Sequence, residues 1–68
     1  MASIAKIIEV VGNSEKGWEA AAQNAIDGVA KTISGITGVE VEHMTATVTD
    51  GKMGTYKTTV KIAFGVDN

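Results

Sequence analysis

Six lysines, eight acidic residues and a single histidine supply nearly all the reactive side chains of this 68-residue chain, which contains no cysteine. Glu40 and Glu42 alternate along a predicted strand and, with Asp50 beyond it, could offer oxygen to a hard cation such as calcium. That ion takes about six to eight oxygens, so symmetry-related copies would have to contribute. Alternating acids on a strand are more often its solvated face. Lys57 and Lys61, also spaced for one face of a strand, suit an anionic ligand such as a nucleotide phosphate. Lysines there are equally a guard against strand aggregation. His43 stands on the alternation set of Val39 and Val41. Without a second ligand type beside it, a lone histidine reads first as a hydrogen-bonded interior or interface residue. A zinc cluster of His and Cys is excluded. No serine lies next to a plausible base and no carboxylate pair converges, so the sequence does not read as an enzyme.

Composition narrows the partners. Net charge is −2 and arginine is absent, which argues against a phosphate-reading surface and hence against nucleic acid. No apolar run approaches a membrane span, and the Met1–Lys6 start does not resemble a secretory signal, so the expected compartment is the cytoplasm. Residues 1–68 read as a single domain. At this length one core supplies only about 3–5 kcal/mol unless disulfides, a metal or oligomerisation add to it. Here oligomerisation is the expected stabiliser. With 44% hydrophobic but only 4% aromatic residues, the core must be built mostly from Ala, Val and Ile.

The elements that must position these residues follow from periodicity. Ile4 to Val11 reads as a first strand, aliphatic on both alternating sets, which predicts burial of both faces. Gly12-Asn13 breaks the pattern, and Ser14 reads as the N-cap of a helix with Glu15 favourably placed in its first turn. Trp18, Ala22, Ala25, Ile26, Val29, Ile33 and Ile36 fall on one helical stripe. Trp18 on that stripe reads as core or interface packing, and Asp27 with Lys31 forms a favourable i, i+4 pair on the wet side. Gly28 marks a candidate close approach of another backbone, although simple tolerance is the commoner explanation. The helix is expected to stop near Gly35 or Gly38.

Val39 to Thr49 and Tyr56 to Phe64 read as second and third strands joined by a hairpin loop over Asp50-Gly51-Lys52-Met53-Gly54. The fold class is therefore α+β, a β-α-β-β chain with a three-stranded antiparallel sheet of order 1-3-2 packed on one long helix. One helix covers one sheet face, and the other face calls for a second molecule.

Val10-Val11-Gly12-Asn13-Ser14, Trp18-Glu19-Ala20-Ala21-Ala22-Gln23-Asn24-Ala25-Ile26, Val39-Glu40-Val41 and Thr55 to Phe64, in this order and spacing, resemble the dodecin family over almost the whole chain. The resemblance implies a hollow homododecamer built from trimers that meet at two-fold contacts, storing flavin (riboflavin or FMN) in pairs there. Flavin-binding members place a tryptophan just before strand two, where it stacks on the isoalloxazine ring, and a glutamine in strand three that hydrogen-bonds it. Those positions align with Gly38 and Lys57. Glycine has no π-face, and ring stacking is a main source of affinity for flat ligands, so a weakened flavin site is expected. Trp18 with its serine four residues earlier is similar to a calcium-dodecin branch that lacks the stacking tryptophan. The alternative expectation is thus a structural shell that binds cations, with Glu40 and Glu42 as candidate ligands, or anions, without a dedicated flavin site.

Overall fold

Ile4–Ser14 forms strand β1, Trp18–Ala30 helix α1, Ile36–Thr49 strand β2 and Lys52–Val66 strand β3, in a computed structural model that describes residues 4–66. The sheet is antiparallel throughout, with order β1-β3-β2. β3 takes the centre because its even-numbered residues supply the apolar positions that the helix covers: Val60 and Ile62 are both 0% exposed. Among the described residues Ala21, Ala25, Val60 and Ile62 are the buried hydrophobic ones, with Ile8, Val10, Ala22, Ile26, Val29 and Ile36 packed partly buried around them. Among the described residues no helix is long and apolar enough to cross a membrane.

Helix and sheet meet most tightly at Gly12. A Cβ there would run into the carbonyl oxygen of Ala21 and press on the Ala25 side chain. Glycine opposite two alanines one helical turn apart lets α1 lie directly on β1, and Asn24 locks the contact by donating to the Asn13 carbonyl at 2.8 Å. On the other side, the Thr58 hydroxyl donates to the Trp18 carbonyl at 2.8 Å.

Several local expectations are corrected. Ser14 is not the N-cap: it ends β1 opposite Tyr56, and its hydroxyl accepts from the Lys16 amide at 2.9 Å, forming a side-chain turn before the helix. Gly17 occupies the cap position, with φ 153°, and its carbonyl accepts from Ala21 at 3.0 Å. The helix also stops earlier than expected, after Ala30. The Thr32 and Ile33 amides both donate to the Val29 carbonyl, and the chain reverses at Gly35, with φ 78°. Two β-branched residues followed by a left-handed glycine outweigh the continuing apolar spacing, so Ile36 enters the core from β2. Asp27 accepts from Gln23 at 2.9 Å, in place of the expected pairing with Lys31. An added Cβ on Gly28 meets nothing, so that glycine marks no close approach.

The hairpin is tighter than a five-residue loop. Thr49 pairs with Lys52, and Asp50 and Gly51 have φ 53° and 76°. Positive φ at both central residues is the turn whose twist matches antiparallel strands, which is why Asp-Gly forms it. Burial of both faces of β1 does not occur within one chain: Ile7 and Val11 on the face away from the helix are 62% and 55% exposed.

Candidate functional site

Odd-numbered residues of β3 point away from the helix, and the register assembles their neighbours into one outer face. Lys57 lies between Asn13 of β1 and Thr45 of β2, Thr59 between Val11 and His43, Lys61 between Glu9 and Glu40, and Ala63 between Ile7 and Gly38. Every side chain with candidate site chemistry on these strands therefore belongs to a single surface.

Strand β2 reaches this arrangement through register shifts at three places, Ile36/Gly38, Val41/His43 and Ala46/Val48. The middle one corrects the expectation for His43. Val39 and Val41 pair with Ile62 and Val60 on the helix side, but the extra residue Glu42 puts His43 opposite Thr59 on the outer face. Alternation is counted from the sequence, and one bulge resets it.

Gly38 is exposed and an added Cβ meets nothing within 4 Å. It sits six residues along β3 from the level of Lys57, which is roughly 20 Å at the rise of an antiparallel strand. One chain does not bring Gly38 and Lys57 to the same ligand. The single chain also encloses no cavity among the described residues. A pocket that used both positions has to be completed by another copy.

Glu40 and Glu42 both stand beside Lys61 along the outer face. Glu42 Oε1 lies 3.6 Å from Lys61 Nζ, and Glu9 and Glu40 flank Lys61 in the register. Opposite charges across neighbouring strands support the sheet, each pair by about 0.2–1 kcal/mol. Among the described residues no group of three or more His, Asp or Glu is arranged to hold a metal ion. Asp50 is in the turn, remote from this row.

Trp18 lies on the helix side of the sheet. Its indole Nε1 donates to the Thr45 carbonyl at 2.8 Å, and its ring meets Tyr56 edge-on with centroids 4.9 Å apart. The side chain fastens the first turn of α1 to both hairpin strands. Sequence reasoning missed Gly12 as the residue that sets the helix on the sheet. The signal was present in Ala21 and Ala25, small residues at i, i+4 spacing.

The helix leaves part of its own side of the sheet bare. Val39, Val41 and Met44 of β2 are 46%, 50% and 59% exposed, since α1 lies over β1 and β3. A compact chain of this mass, 7.0 kDa, exposes about 4,000 Å², whereas this one exposes 4787 Å².

A family model described as Dodecin matches residues 4–67. The dodecin of Thermus thermophilus is 30% identical over 67 residues, covering 98% of this chain and 97% of its own length. Among solved structures, a protein from Thermus thermophilus superposes with a TM-score of 0.91 at 29% identity, covering 96% of each chain. Dodecin from Streptomyces davaonensis gives a TM-score of 0.89 at 25% identity, again covering 96% of each chain. Calcium dodecin from Mycobacterium tuberculosis, described as calcium chelating with a novel calcium-binding site, gives 0.81 at 27% identity, covering 96% of this chain and 93% of its own.

Proposed function

Because this chain belongs to the dodecin family, we propose that its copies assemble into a homododecameric shell, built from trimers, that sequesters a small molecule, with flavin as the inherited ligand class at a weakened site. The observation that carries the reading is apolar surface the fold cannot cover. Ile7 and Val11 on the outer face, and Val39, Val41 and Met44 beside the helix, are each close to half exposed or more. Burial of such side chains contributes about 25 cal/mol per Å², and the few residues buried within one chain leave a small core. Self-association supplies what is missing.

The mechanism is containment. Symmetry-related strands close a pocket over the ligand and limit its photochemistry and reactivity; no proton transfer or covalent step is needed, and the shell is a cytoplasmic binding protein. Gly38 contributes no stacking surface, which lowers affinity for an isoalloxazine ring. Mass measurement by light scattering is expected to give a dodecamer, and a monomer in dilute neutral buffer would defeat the reading. Titration with riboflavin or FMN is expected to give weak quenching of flavin fluorescence. No change at micromolar protein would remove the flavin arm. Gly38→Trp, at a site with open space above it, should strengthen the quenching if the rest of the pocket is intact.

A second reading is favoured by the acidic row on the outer face. Glu42 pairs with Lys61, Glu9 and Glu40 are the cross-strand neighbours of that lysine, and in a shell each carboxylate is multiplied by symmetry. In that case the assembly binds a hard cation such as calcium and has no dedicated flavin site. A thermal shift with Ca²⁺ that disappears in Glu40→Gln/Glu42→Gln, without any flavin response, would favour it.

A further inference from the structure

The exposed apolar residues of the β2–β3 hairpin differ in chemistry. Val39, Val41 and Val48 are inert, whereas Met44 and Met53, 59% and 52% exposed, carry thioethers that peroxides oxidise. Met53 pairs with Val48 close to the turn. Met44 stands opposite Thr58 on the helix side of β2, in the stretch with Val39 and Val41 that α1 leaves bare and the proposed assembly covers.

The surroundings of Met44 suit a sulfur and not an oxygen. Thr58, its cross-strand neighbour, donates its hydroxyl to the Trp18 carbonyl, and the Trp18 indole donates to the carbonyl of Thr45, the next residue along β2, each at 2.8 Å. Both side-chain donors beside Met44 are therefore already in use. A sulfoxide oxygen placed there keeps its hydrogen bonds only while water reaches it, and covering it without a donor opposes burial.

We infer that Met44 is an oxidation site that governs assembly, an inference that rests on the assembly proposed above: hydrogen peroxide converts its thioether to the sulfoxide while the chain is free, and the oxidised chain no longer joins the shell. The sulfur lone pair attacks one peroxide oxygen and the O–O bond breaks. The departing hydroxide takes the proton from the transferred oxygen and leaves as water, so sulfur is oxidised by two electrons and peroxide is reduced. In the shell another copy covers Met44, which shields its sulfur.

The test uses the full chain, dissociated in urea, treated with hydrogen peroxide until every methionine is oxidised, returned to buffer and weighed by light scattering beside an untreated sample. Oxidised wild type and oxidised Met53→Leu are expected to lose assembly affinity by about tenfold or more, the effect of one acceptor buried without a donor. Met44→Leu, which conserves volume, is expected to assemble with or without peroxide. Met44→Val gives the same comparison should leucine disturb the packing. By peptide mass spectrometry, Met44 should take up oxygen more slowly in the intact shell than in urea. Oxidised wild type that assembles like the untreated sample overturns the inference, as does oxidised Met44→Leu and Met44→Val failing to assemble, or equal rates of oxygen uptake at Met44 in shell and urea. Untreated wild type that stays monomeric defeats the assembly itself, and is told apart because peroxide is then irrelevant to the mass.

Discussion

The two faces of the sheet are made by alternate residues of the same strands, yet they obey different rules. On the helix side Thr58, Val60 and Ile62 are at most 1% exposed, and the contact is fixed by a glycine that no larger residue can replace. On the outer side, the intervening positions leave Ile7 and Val11 more than half exposed among lysines, acids and threonines. Beneath the helix the first face is closed within one chain, while Val39, Val41 and Met44 beyond the edge of α1 stay about half exposed. The second leaves apolar side chains uncovered beside Glu9, Glu40, His43, Lys57 and Lys61. Along β1 and β3 the parity of the residue number separates the two faces, and along β2 the bulge at Glu42 reverses it.

The sharpest way to break this contrast is at Gly12. Gly12→Val sets a branched side chain against backbone at Ala21 and is expected to abolish the fold, since overpacking of that kind costs about 3 kcal/mol or more against a core worth about as much. A cooperative urea transition close to that of wild type would show that the helix does not depend on this contact. Next in size, Ile62→Ala should cost about 2–5 kcal/mol in the same measurement, while Ile7→Ala on the outer face should leave the fold intact and reduce the assembled fraction. If both variants unfolded alike at concentrations where the protein is monomeric, the distinction between the faces would be lost.

Thr58→Val preserves shape beneath the helix and removes the bond to the Trp18 carbonyl, with an expected loss of about 1 kcal/mol in thermal or urea unfolding. Smallest of all, and opposite in sign, Gly28→Ala should stabilise by about 0.5–1 kcal/mol, because the exposed helical position has room for a methyl group. A loss of stability there, accompanied by a change in assembly mass, would reveal that Gly28 is covered by another copy.

Most of the architecture was legible from periodicity and turn chemistry. The alternation in β3, the Asp-Gly turn and the helical stripe beginning at Trp18 are local signals, and together they led to the sheet order that the structure has. Boundaries were less legible, because Ser14 satisfies strand pairing as well as it would a cap, and Ile33 and Ile36 continue an apolar spacing after the backbone has left the helix. Of the candidate site residues, Glu40 and Glu42 were recognisable as neighbours, but the ion pair of Glu42 with Lys61 was not, because it depends on pairing between β2 and β3.

By itself the sequence determined the β-α-β-β order, the absence of thiol chemistry and the presence of more apolar surface than one helix can hide, since these depend only on composition and local periodicity. Tertiary structure decided which residues share a face. Register is a relation between strands, and one inserted residue at Glu42 moves His43 from the side of Val39 and Val41 to the side of Lys57. It also decided that Gly12, and not Gly28, carries the contact between helix and sheet, because only the packed elements show where two backbones approach.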